Sequence, residues 1–255
     1  MLNETYSIIL ALFAAGAAGL VGAFALMKKT ILAGDVMSHV AIPGLGLAII
    51  WQINPLIGGA LTLFIGAFII SKLERKTSIS SEAAIGVIFA SSVALGALLL
   101  NSEEELIDAL FGGFGNLYIS EFVFGIAASV FIVAALWLLR NKLIIGLFSE
   151  ELAVATNIRT GRLNFWFLLL FSLAILSSLR FLGALLAGAL IIVPASAARQ
   201  LTHSLGWFLL TSMFLSVLSM ALGLIVSRAY NLELGPTVVV VAAAIFALSL
   251  FKTKN

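Results

Sequence analysis

Nine predominantly apolar runs divide this sequence, and most are as long as a bilayer is thick: residues 6–27, 36–53, 55–73, 83–100, 119–139, 163–179, 183–198, 205–226 and 236–251. A helix needs roughly 20 residues to cross the hydrocarbon core of a membrane. The whole chain is 62% hydrophobic and only 10% charged, against about a quarter charged in soluble domains. A water-soluble body of this size could not hide so much apolar surface. Membrane β-barrels are excluded, because they need in/out alternation over strands of about ten residues and these runs are continuous. The expected fold is therefore all-α: a polytopic transmembrane bundle of about nine spans, with eight to ten allowed by length, forming one domain over 1–255.

Topology follows from the bias of Lys and Arg toward cytoplasmic loops. With the N-terminus outside, every Lys and Arg except Arg180 and Arg228 falls in an inside loop, and the C-terminus is cytoplasmic. Omitting one of the two middle runs around Arg180 destroys that bias in the C-terminal part. The seventh run, 183–198, is short and holds Pro194, so it is expected to be a broken span. The first run has Glu4 ahead of it and no basic leader, which reads as a retained span and not as a cleaved signal.

Two connections stand apart. Residues 140–162 form the longest polar connection and lie inside. Ser149 is a good N-cap there, and Glu150 and Glu151 fall in the first turn, where the helix dipole favours them. Leu152 and Ala153 follow, and Asn157 suits a left-handed helix stop. A short cytoplasmic amphipathic helix is expected, either docked on a partner or merely lying on the surface. Residues 101–120 lie outside, opening with Glu103, Glu104, Glu105 and Asp108 and continuing through Leu110-Phe111-Gly112-Gly113 as an interfacial turn or a solvated loop.

Ionisable residues inside spans are costly, so each is a functional candidate. The outstanding pair is Asp35 and His39, four residues apart and hence on one helix face. A carboxylate and an imidazole at that spacing can grip one divalent ion, and their donors suit zinc, manganese or ferrous iron. Alternatively, Asp35 is an ordinary N-cap pairing with Lys28 or Lys29, and His39 is a satisfied interior histidine. Two ligands make an incomplete site, which a symmetric dimer would complete by supplying each twice. His203 reads as a helix-start residue, while Met37, Met213 and Met220 read as packing. The chain has no cysteine, so thiolate metal sites are excluded. It also has no phosphate-binding loop, so any ATP chemistry belongs to another subunit. A net charge of +2 points to no nucleic-acid partner.

Five stretches resemble the membrane permease subunits of ABC importers for zinc, manganese and iron. They are Gly34-Asp35-Val36-Met37-Ser38-His39, Glu82-Ala83-Ala84-Ile85-Gly86-Val87-Ile88-Phe89, Leu110-Phe111-Gly112, the pair Phe181-Leu182-Gly183 and Ile192-Val193-Pro194-Ala195-Ser196, and Gly235-Pro236-Thr237. The resemblance implies a type II importer permease in the cell membrane and no permanently bound cofactor. It further implies a homodimer in membrane lipid, with ABC ATPase subunits inside and an extracytoplasmic metal-binding protein outside. Asp35 and His39 would coordinate the transported ion. Ser149, Glu150, Glu151, Leu152 and Ala153 would form the coupling helix, with Asn157 standing where the family usually has glycine. The rival readings are a permease for a siderophore or vitamin, which has no reason to keep an Asp/His pair in a span, and an ATP-independent metal carrier.

Overall fold

A computed structural model describes residues 4–28, 32–76, 81–100, 118–148, 150–156 and 158–251. The described residues are helical, with no strand among them. In order, the helices are α1 (Glu4–Met27), α2 (Leu32–Val40), α3 (Ile42–Ile50), α4 (Pro55–Lys76), α5 (Ser81–Leu99), α6 (Ile119–Phe148), α7 (Glu150–Ala155), α8 (Thr160–Leu201), α9 (Leu205–Tyr230) and α10 (Leu234–Leu250). Each apolar run of the sequence coincides with one helix or helix segment, except the run 36–53, which is divided between α2 and α3. Among the described residues five helices are long and apolar enough to cross a membrane, and the segments Val36–Ile50, Gly86–Leu99, Ala187–Leu201 and Leu234–Leu250 are shorter apolar helices. The expected all-helical membrane bundle is the fold observed.

Side-chain contacts sort the helix termini into two ends. At one end Tyr6 meets Phe122 edge-on at 5.2 Å, Asn54 donates to Glu121 at 3.1 Å, and Arg228 pairs with Glu4 at 2.8 Å. At the other, Lys28 donates to the Asn164 side chain, Lys72 lies 5.9 Å from the Phe68 ring, and Phe68 packs on Phe165. Arg199 lies over Phe208 at the start of α9. One end thus gathers Glu4 and Glu121, whereas the other gathers Lys28, Lys72 and Arg199.

The 42-residue α8 would span roughly 63 Å if straight, about twice the hydrocarbon thickness. It is not straight. Gly183 has φ 67° and ψ 178°, a region essentially reserved for glycine. Asn164 sits at the Lys28 end, and Leu176 lies beside Gly59 near the opposite end. Ile191 then packs on Gly22, and Arg199 is back at the Lys28 end. The sixth and seventh runs are therefore antiparallel helices hinged at Gly183. The seventh run, expected to be a broken span, is instead a helix that continues through Pro194, and the non-helical residue is Gly183 on the boundary between the two runs.

The core is built on α1, whose residues from Ala14 to Ala25 are all buried. Its small residues admit neighbouring backbones: a Cβ on Gly22 would coincide with the carbonyl of Ile191. Ser212 of α9 donates to the Gly19 carbonyl at 2.6 Å, a bond between helices. With no water to displace between helices in lipid, such close approach and interhelical bonding are what hold a bundle together.

The connection after the fifth run differs from the expected polar loop. Here α6 continues past Arg140 to Phe148, because Leu143, Ile144, Ile145 and Leu147 prolong its apolar pattern and Leu143 is buried. The loop thereby contracts to the segment around α7. Residues 101–117, with their acidic cluster, lie outside the described residues.

Candidate functional site

The run 36–53, expected as one span, is split between α2 and α3 at Ala41. Pro43 explains the split. It has no N–H to give the His39 carbonyl, and its ring crowds that carbonyl. Ala41 instead donates to Ser38 at 3.4 Å, and Leu45 restarts the ladder by donating to Ala41 at 3.0 Å. The helix carrying Asp35 and His39 therefore ends immediately beyond the histidine.

Around this break the packing is tight. Met37 and Ser38 are fully buried. Gly44 of α3 and Gly58 of α4 face each other so closely that a Cβ on either would strike the other's carbonyl. Val40 lies against Gly66, midway along α4, which puts His39 near mid-height in the bundle. His39 is 9% exposed, and its ring stands edge-on to Phe89 of α5 at 5.0 Å and 75°. An edge-to-face contact fixes the plane of the imidazole and hence the direction in which its nitrogens point.

Asp35 lies on α2, one turn nearer the Lys28 end; its side chain is outside the described residues. Lys28, a possible partner for it, binds Asn164 and lies 4.8 Å over the Phe167 ring. Among the described residues no group of three His, Asp or Glu could hold a metal ion.

The other sequence candidates separate cleanly. His203 is exposed just ahead of α9, a helix-start position. Met37 and Met220 are buried in the core. The short helix α7 forms at the Lys28 end, where Gly146 of α6 approaches Leu163. Leu152 is exposed on it while Ala153 is buried. Ile158 donates to the Ala153 carbonyl at 2.8 Å, the six-to-one bond of a Schellman stop. Ser149, Asn157 and the side chains of Glu150 and Glu151 lie outside the described residues. Sequence reasoning gave no role to Phe89. Its only signal was membership of a motif stretch, because nothing in spacing tells which helix will face His39.

The profile of the ABC 3 transport family matches residues 4–253. The chain is 32% identical over 242 residues to the high-affinity zinc uptake system membrane protein ZnuB of Haemophilus influenzae, covering 92% of this chain and 91% of that protein. It is 29% identical over 237 residues to the manganese import system permease protein ScaB of Streptococcus parasanguinis, covering 92% and 85%. The solved structure of PsaBC from Streptococcus pneumoniae in complex with Fab superposes with a TM-score of 0.86 at 27% identity, over 98% of this chain and 91% of that one.

Proposed function

The chain belongs to the ABC 3 transport family, and from that premise we propose that it is the permease subunit of an ABC importer for divalent transition-metal ions, zinc or manganese. It forms the path through the membrane, and a separate ATPase subunit supplies the energy. The observation that carries this reading is the Asp35–His39 face of α2, with a buried imidazole near mid-height of a bundle whose interior is mostly apolar. The names of similar proteins, one for zinc and one for manganese uptake, support the cargo.

In this reading Asp35 and His39 bind the ion as substrate. Oxygen and nitrogen donors suit both metals, and choice between them rests on geometry and availability. Two copies related by a two-fold axis bring two Asp/His pairs to one path. Such a set binds firmly enough to strip water from the ion and loosely enough to release it, as a transport site must. The helix α7, with Leu152 exposed, docks on the ATPase at the Lys28 end, which is cytoplasmic. An external metal-binding protein delivers the ion at the Glu4 end. ATP-driven closure pulls the α7 helices together and switches the dimer between two packings of similar energy.

The test is reconstitution of the chain with its ATPase in proteoliposomes, with zinc, manganese and iron offered in turn. ATP-dependent uptake of zinc or manganese is expected. Failure of all three ions to enter, with ATP hydrolysis intact, contradicts the cargo.

A further inference from the structure

A groove of about 780 Å³ opens on the bundle surface between α1, α6 and α9, within the size range of ordinary ligand sites. Phe13, Gly16, Val130, Ala134, Trp137 and Val217 are among the residues that line it. Ser129 also lines it, but its hydroxyl is turned back to donate to the Gly125 carbonyl at 2.8 Å. The middle of the groove thus offers almost no hydrogen bond to an occupant. A polar ligand would lose its hydration there without compensation, so the groove selects hydrocarbon.

One end of the groove is different. The Arg140 guanidinium lies 4.4 Å over the Trp137 ring, at the Lys28 end of α6. From Ile119, Arg140 lies roughly 31 Å along the helix, about the thickness of the hydrocarbon core. A cation stacked on a tryptophan at that depth stands at headgroup level, where both residues are favoured. The guanidinium fork matches the paired oxygens of a phosphate.

We propose that this groove is a site for one anionic phospholipid of the leaflet at the Lys28 end, its acyl chain between α1, α6 and α9 and its phosphate on Arg140. The occupant is a lipid because dry walls and a guanidinium at headgroup depth match the two halves of that molecule. The site does not depend on which ion is carried.

The test uses the full-length chain purified in mild detergent from mixed phosphatidylglycerol and phosphatidylcholine, with retained lipid counted by native mass spectrometry. Wild type is expected to retain phosphatidylglycerol in about fivefold preference, the scale of one cationic residue at an anionic surface. Arg140→Gln should bring the preference to parity while a lipid is still retained. Ala134→Phe, which fills the groove from an exposed position, should abolish retention of both. Equal retention of the two lipids by wild type, or an unchanged preference in Arg140→Gln, overturns the proposal. So does a disulfide between copies in Val130→Cys, clean to read in a cysteine-free chain, because a second copy then covers the groove. If Ala134→Phe does not fold, the Arg140→Gln comparison decides alone.

Discussion

Helices α1 and α6 are equally able to cross a bilayer by length and apolarity, yet they occupy opposite situations. In α1, 78% of the most apolar stretch is buried inside the bundle; in α6 only 28% is. Apolarity does not distinguish them, because lipid is as apolar as a protein core. Side-chain size does. The centre of α1 is the run Ala14-Ala15-Gly16-Ala17-Ala18-Gly19, small on every side, so α8 and α9 can approach it backbone to backbone. In α6 the residues Gly125, Ala128, Ser129, Ile132, Leu136 and Leu143 make a single buried stripe, while Val123, Phe124, Phe131 and Leu138 face outward. In a membrane the central helix is the one whose neighbours can come close.

The sharpest way to break this comparison is to put bulk into α1. Gly22→Leu drives a side chain into the Ile191 backbone, and overpacking of this kind costs about 1–3 kcal/mol or more. Loss of monodisperse protein on size-exclusion chromatography is expected. The control, Ala127→Leu on the exposed side of α6, adds nearly as much bulk and should elute as wild type; equal damage from both would refute the size argument. A smaller effect is expected at the hinge. Gly183→Ala forces a side chain into a backbone region that costs of order 1–3 kcal/mol, so the midpoint of thermal unfolding should fall by several degrees. An unchanged midpoint would mean that the hinge can relax. The smallest effect belongs to the bundle rim. Arg228→Gln removes the exposed pair with Glu4, and exposed pairs are worth about 0–1 kcal/mol. Thermal unfolding should barely move, and a shift as large as that of Gly183→Ala would show that the rim holds the bundle together.

Much of this architecture was legible in the sequence, and what was missed has a common cause. Each apolar run became a helix because an uninterrupted run of that length can satisfy its backbone in lipid in no other way. The break after His39 was written in Pro43 but was overlooked, because the run stays apolar across it. The extension of α6 to Phe148 was missed for the opposite reason: Arg140 and Lys142 looked like the start of a loop, although long cationic side chains can lie along a helix with their heads at the interface. The boundary between the sixth and seventh runs falls at Gly183, where the runs were divided, but the break expected within the seventh run from Pro194 does not occur: a proline inside a packed helix can be tolerated, and within α8 only Gly183 leaves helical geometry. At the candidate site the Asp35–His39 spacing was visible, but the Phe89 ring beside His39 depends on how α2 and α5 pack. No single-helix pattern encodes that.

His39 stands where these strands meet, polar and buried among apolar helices at mid-height. The most direct measurement is ATP-dependent uptake of radiolabelled zinc and manganese into proteoliposomes holding the complex of this chain and its ATPase, comparing wild type with His39→Ala. The account predicts an assembled complex whose unfolding free energy changes by about 1 kcal/mol or less, and uptake reduced at least tenfold for both ions. Uptake at the wild-type rate by an intact His39→Ala complex would contradict it.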